Sequence, residues 1–301
     1  MKNHFLTRLM LGFLLFVIAG IIVGAQAQNA SSAKAMHEAY ARLKPQLENN
    51  PYKSPIWLES SEENKRAHGR IYGVLNQPFS AVRKNLQDPV GWCEVLFLHL
   101  NVKYCKAVDN NTIRIYAGTK KPQSLDSATP MQYQFKRLAD SANHMKVAMV
   151  AASGPYGTSH YNITMEAIPL NQNQSFIHVN YSYQYGNVAK LAMNSYLSTV
   201  GSSKEGISIV GKKADGSPEY ASGLRGVIER NTLRYYLAIT SYLDSLSAPE
   251  NQQLEKRLSS WFDATERYPQ LREISKTDYM NMKRDEYQRM NNGPQQMNLA
   301  K

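Results

Sequence analysis

The sequence predicts an α+β domain, an antiparallel sheet with one apolar face covered by a single long helix. Three observations carry this. Between Val102 and Tyr185, segments rich in β-formers recur about every 12 residues and are joined by short turns, which argues for an antiparallel meander. Within these segments polar and apolar residues alternate: Ile177, Val179, Tyr181, Tyr183 and Tyr185 share one face, and His178, Asn180, Ser182 and Gln184 the other. Tyr161, Ile163, Met165 and Ala167, and Met145, Val147, Met149 and Ala151, continue the apolar face. Finally, Gly223 to Leu246 carries Leu224, Ile228, Thr232, Tyr235, Ile239, Tyr242 and Leu246 at helical spacing. A sheet with one apolar face must be covered on that side, and this helix is the natural cover.

The elements follow in order. Ser32 caps a short helix over Ala35 to Leu47, ended by Asn49-Asn50-Pro51. Ile56 to Glu62 reads as extended and irregular. Gly69 to Asn76 is a strand. Pro78 opens a helix with Phe79, Val82 and Leu86 on one face, and Asp88-Pro89 starts a second, VGWCEVLFL, apolar on nearly every side. Six meander strands are expected at Val102–Val108, Thr112–Gly118, Met131–Ala139, His144–Ala152, Thr158–Ile168 and Ser175–Tyr185. An amphipathic helix at Val188 to Val200, a short strand at Glu205 to Gly211 and a turn region at Lys212 to Glu219 precede the long helix. Leu254, Leu258, Trp261, Phe262 and Thr265 make one more helix. After Pro269 aliphatics are few, so Lys276 to Met290 reads as a marginal solvated helix and Asn291 to Lys301 as disordered. This tail is expected to be dispensable for folding.

The first residues predict the compartment. Lys2 and Arg8 precede an apolar run from Leu9 to Val23, about 15 residues and shorter than the roughly 20 that span a bilayer. Ala25-Gln26-Ala27 then supplies small residues for cleavage before Gln28. The expectation is a signal peptide over 1–27, cleavage after Ala27 and a periplasmic location. With no Cys at that site a lipoprotein anchor is excluded.

Composition narrows the function classes. The chain has 301 residues, 43% hydrophobic and 20% charged, which is ordinary globular usage. Net charge is +11, but the basic residues are scattered without a dense run. That favours no nucleic-acid partner and allows contact with an anionic membrane surface. The two cysteines, Cys93 and Cys105, are most simply a disulfide in an oxidising compartment. No nucleophile elbow, phosphate-binding loop or zinc-protease motif occurs. Ser31-x-x-Lys34 matches a β-lactamase fragment only by chance. His160 and His178 sit on paired strands but lack a third ligand, so no metal, cofactor or catalytic residue is assigned. Glu166, Glu229 and the histidines are not paired by spacing. Arg225, Glu229, Arg230 and Arg234 form either a solvated face of the long helix or the mouth of a cavity. The row Tyr181, Tyr183 and Tyr185 is either plain core or the wall of a partly polar cavity, since each hydroxyl needs a partner.

Strand, helix pair, meander and long helix, in that order, resemble the helix-grip fold of the START/polyketide-cyclase/Bet v 1-like superfamily. The carrying segments are GRIYGVLNQPFSAVRKNLQDPVGWCEVL and GLRGVIERNTLRYYLAITSYL. The resemblance implies a curved sheet wrapped around the C-terminal helix, with residues 28–68 as N-terminal helix and linker, 69–247 as the helix-grip domain and 248–301 as a C-terminal extension. It also implies an apolar cavity for a hydrophobic or lipid-like ligand. The two facing surfaces name the candidate ligand-binding residues: Met149, Met165, Tyr181, Tyr183 and Tyr185 on the sheet, and Arg234 at the rim with Tyr235, Ile239 and Tyr242 on the helix. A carrier or sensor of such a ligand is the leading expectation. A cell-envelope interaction module, or a cyclase or hydrolase using the same cavity, is the alternative.

Overall fold

Eight antiparallel strands form the main sheet: β1 (Ile56–Glu63), β2 (Arg66–Leu75), β3 (Val102–Asp109), β4 (Thr112–Ala117), β5 (Thr129–Asp140), β6 (Met145–Ser153), β7 (Thr158–Pro169) and β8 (Ser175–Tyr185). Their order across the sheet is β1-β2-β8-β7-β6-β5-β4-β3. The computed structural model describes residues 32–187, 190–191 and 204–292. These fall into two units, divided between Pro45 and Gln46. The first is helical throughout its described part, within helix α1 at 32–48. The expected signal peptide, nearly all of the expected helix at Val188–Val200 and the end of the expected disordered tail lie outside the described residues. No described helix is long and apolar enough to cross a membrane.

In the second unit the chain leaves β2, forms α2 (Phe79–Leu86) and α3 (Pro89–Phe97), and re-enters at the far edge as β3. It then meanders back until β8 lies beside β2. The helix pair forms for local reasons. Asp88 caps α3 through its side chain, accepting from the backbone N–H groups of Val90 at 3.0 Å and Gly91 at 3.4 Å. Pro89 stands in the first turn, where a missing N–H costs nothing. Trp92 is fully buried and donates to the Leu86 carbonyl at 2.9 Å, tying α3 to α2. Cys93 of α3 is disulfide-bonded to Cys105 of β3, with 5.3 Å between their Cα atoms. Closing that short loop contributes about 3 kcal/mol in the chain-entropy picture.

The long helix α4 (Gly223–Ser245) lies across β1, β2 and β8, and its predicted stripe is buried from Leu224 to Tyr242, with Leu246 just past its end half-buried. Two glycines set how close it comes. A Cβ on Gly69 would stand 2.1 Å from Thr232 Oγ1, and one on Gly73 would stand 2.4 Å from the Tyr236 ring. Their bare backbone lets the helix sit directly on β2. This is the helix-grip arrangement.

Three expectations give way to the structure. Ile56–Glu63, read as irregular, is an edge strand paired along its whole length with β2. The strand expected at Glu205–Gly211 is instead a small hairpin, β9 (Ile209–Lys212) with β10 (Pro218–Tyr220). Helix α5 (Glu250–Glu266) forms as expected and buries Trp261, whose indole donates to the Arg234 carbonyl. The tail beyond Pro269, expected to be solvated, packs on the core. Helix α6 (Lys276–Asn292) buries Tyr279 and Met282, and the Tyr279 hydroxyl donates to the Leu98 carbonyl at 3.1 Å. Charge disguised it: Lys283 and Glu286 look solvated in sequence but are wholly enclosed. Lys283 donates to the His99 and Val102 carbonyls and to Glu286, which also receives Lys103. Burial pulls the Lys283 ammonium down to about 8 despite Glu286 beside it.

Candidate functional site

The inner face of the sheet follows from register. Tyr181 of β8 stands opposite Gly69 of β2 on one side and Ile163 of β7 on the other. Tyr183 stands opposite Ala67, and Tyr161 opposite Ala151 of β6. A bulge in β7 between Ser159 and Asn162 puts His160 in a left-handed conformation, φ 50°, and keeps Tyr161 pointed inward. From the helix side comes Tyr235.

These rings form a continuous cluster. Tyr161 and Tyr183 stack with centroids 5.4 Å apart; Tyr181 meets Tyr183 at 5.8 Å and the edge of Tyr235 at 5.2 Å. His99, buried beyond Tyr235, stacks on it at 5.1 Å. Tyr133 of β5 belongs to the same electrostatic neighbourhood. Burial raises the pKa of Tyr133, Tyr181, Tyr183 and Tyr235, so all four hydroxyls keep their protons. Burial, with Arg234 and Lys283 nearby, holds His99 well below the usual imidazole range, so it too is neutral.

The hydroxyls are the unusual part. Tyr161 exchanges a hydrogen bond of 2.6 Å with Thr158. Tyr133, Tyr181, Tyr183 and Tyr235 have no hydrogen-bond partner for theirs within the described protein, yet they are not among its sealed, unsatisfied polar atoms. A buried hydroxyl without a partner costs about 1–3 kcal/mol, so four such tyrosines on one inner face are unusual for plain core.

The nine candidate residues do not form one pocket. Tyr181, Tyr183 and Tyr235 pack together as one aromatic cluster between sheet and helix. Met149, Met165 and Ile239 are completely sealed and serve as ordinary core. Tyr185 is turned to the edge, donating to Glu62. Tyr242 lies by α3, with the Arg257 guanidinium 5.3 Å over its ring, and borders an open surface hollow of about 570 Å³. Arg234 is not a rim residue: its Nη2 donates to the Leu271 carbonyl at 3.1 Å and to Glu273 at 2.9 Å, holding the C-terminal segment. A second open hollow, about 560 Å³, is walled by Asn76 and Asn171–Gln174. Tyr133 and His99 were not singled out from sequence. Tyr133 was recognisable as an inward position of its strand; nothing local marks His99, which sits in the turn after α3.

The ionic cluster on α4 is neither a solvated face nor a mouth. Glu229 is fully buried and accepts from Ser60 and from the backbone N–H groups of Ile207 and Ser208. Arg225 donates to Ser60, and Arg230 to the carbonyls of Lys204 and Glu205. These residues fasten β1 and the segment before β9 to the helix.

On the opposite face, His178 does not meet His160; it pairs in register with Glu166 and stacks on Tyr72 at 4.3 Å. Glu166, unpaired by sequence spacing, binds His144 at 2.6 Å and Lys146 at 3.0 Å. Among the described residues no acidic, His or Cys group forms a metal site. Burial, opposed by Glu166, pulls His178 down to about 4. An unfolded imidazole protonates near pH 6.5, so the folded state keeps its stability above that pH and loses it as pH falls toward 4. His178 alone is expected to account for about 2–3 kcal/mol of that loss. Urea midpoints at pH 7 and 4.5 measure it; a His178→Asn variant with an unchanged pH dependence would contradict the assignment.

No protein-family model matches the chain, and no curated protein does. Among solved structures it is similar to a START superfamily protein from Mycobacterium smegmatis, at 10% identity and a TM-score of 0.31, covering 45% of this chain and 92% of that one. It is similar to human StAR-related lipid transfer protein 5 at 10% identity and a TM-score of 0.30, covering 57% and 90%. Norcoclaurine synthase from Thalictrum flavum aligns at 11% identity and a TM-score of 0.31, covering 48% and 80%. The fold assignment rests on the strand order and helix placement above, not on these overlays.

Proposed function

We propose that the protein is a non-enzymatic binding or carrier protein for a small hydrophobic ligand, held between sheet and long helix. The observation that carries this is the tyrosine cluster: four tyrosine hydroxyls without partners among the described residues, on an otherwise apolar inner face. A merely structural core would be expected to replace such tyrosines with phenylalanine or to pair them.

The test uses N-phenyl-1-naphthylamine, a neutral apolar fluorophore. The wild type should bind it with a rise in emission. Tyr181→Trp would fill the proposed ligand space between sheet and helix and should weaken binding at least about tenfold, while costing less stability than Met149→Trp, which overpacks sealed core by about 1–3 kcal/mol. A wild type that leaves the probe dark, with both variants equally destabilised, would remove the carrier reading.

We further infer export to a periplasm. The reading rests on the positive start, short apolar run and Ala25-Gln26-Ala27 pattern, and a disulfide is at home in that compartment. Intact mass of the chain from a periplasmic extract should correspond to a start at Gln28. An uncleaved chain confined to the cytoplasm would reject export.

A further inference from the structure

We propose that the surface hollow beside α3 is a binding site of its own, one that takes the protonated amine of a small organic molecule with a short apolar body. It lies apart from the tyrosine cluster and does not depend on the carrier reading.

The hollow, about 570 Å³, is framed by the end of α2, the start of α3, the β3–β4 turn and Tyr242 of α4. That volume falls in the range of small-molecule sites. Its wall carries two carboxylates, Asp88 and Asp109, and one lysine, Lys84, on a chain whose net charge is +11. The carboxylates are only partly used. Asp88 gives one oxygen to the cap of α3, and Asp109 gives one to the Asn111 N–H at 2.7 Å. Their other oxygens have no protein partner among the described residues.

Tyr242 is the independent sign of a ligand. It is only 7% exposed, yet its hydroxyl has no hydrogen-bond partner among the described residues. The hydroxyl comes up against Gly91, where a Cβ would stand 3.5 Å from it, and both residues line the hollow. The bare glycine leaves that oxygen within reach. Burial, reinforced by Glu94, pushes the Tyr242 hydroxyl up to about 12, so it stays a neutral phenol whose oxygen accepts. Glu94 itself is taken by Arg257.

A primary ammonium has three N–H donors and no acceptor. Asp88, Asp109 and the Tyr242 oxygen are three acceptors on one wall, two of them charged. Val90, which is 64% exposed, offers apolar surface for the carbon body. A carboxylate or phosphate would meet two like charges there, against Lys84 alone.

Benzylamine, benzoate and benzyl alcohol test this by saturation-transfer NMR titration at pH 7 and low salt. Benzylamine should bind at least about threefold more tightly than the other two, and added salt should weaken it. Asp88→Asn keeps a helix cap and Asp109→Asn a turn-forming side chain, so both should melt close to wild type. Each should weaken benzylamine severalfold, and so should Tyr242→Phe. Lys84→Gln should tighten it, a gain that structural damage does not produce. Binding of N-phenyl-1-naphthylamine should be the same in all four variants as in wild type. Benzoate that binds as tightly as benzylamine, carboxylate variants that bind benzylamine as wild type does, or no binding of benzylamine at all would overturn the proposal, whatever the fluorophore does.

Discussion

A chain ended at Ser275 is expected to lose its cooperative fold. Removing α6 takes Tyr279 and Met282 out of the core and uncovers Phe97, over whose ring Lys283 sits at 5.0 Å. It also uncovers Val102 and the backbone carbonyls of Leu98 and His99. At about 1.5–3 kcal/mol for each large apolar side chain, the loss is on the order of 5–8 kcal/mol. That is comparable with the entire stability of a typical domain. Glu286→Ala isolates the charged part of the contact. It leaves Lys103 and Lys283 buried without their shared carboxylate, and should cost about 3–5 kcal/mol. Thermal melts followed by circular dichroism read both. A truncated chain with the wild-type midpoint would restore the dispensable tail that composition alone suggests.

The second large effect is expected at the contact between β2 and the long helix. Gly69→Ala places a methyl group 2.1 Å from Thr232 Oγ1 and 3.2 Å from Ile228 Cγ1. Thr232 cannot easily turn away, because its hydroxyl donates to the Ile228 carbonyl at 2.8 Å and the residue is fully buried. The helix itself must move, at a cost of about 3 kcal/mol, near the upper end for an overpacked core. Thr232→Ala alone should cost much less, and the double variant should recover most of the stability. The coupling between the two sites is then the measured quantity. If denaturant midpoints of the single variants simply add in the double, Gly69 does not set how close the helix comes.

Both predictions concern parts that hold the tyrosine cluster in place rather than belong to it. The glycines bring Tyr235 toward the sheet tyrosines by seating α4 on β2. Helix α6 braces the turn after α3, where His99 backs Tyr235. Loosening either should weaken ligand binding as well as stability.

Read alone, the sequence determined seven of the eight strands of the main sheet, the buried stripe of the long helix, the cap at Asp88 and the cysteine pair. Each is written in local periods or short spacings: a strand declares its inner face every second residue, and a helix its buried face every third or fourth. What only the tertiary structure decided is where polar groups end up. Arg234, Glu229, Lys283 and Glu286 look alike in sequence, as charges on helices. All four fasten distant segments, and the pair of buried lysines is visible only once β3 meets α6. The tyrosines divide in the same way. Tyr181, Tyr183 and Tyr185 occupy equivalent alternate positions, yet Tyr185 reaches Glu62 while the other two pack their rings against each other in the cluster. A hydrogen bond is satisfied by whichever group folding brings within about 3 Å, and sequence spacing carries no record of that neighbour.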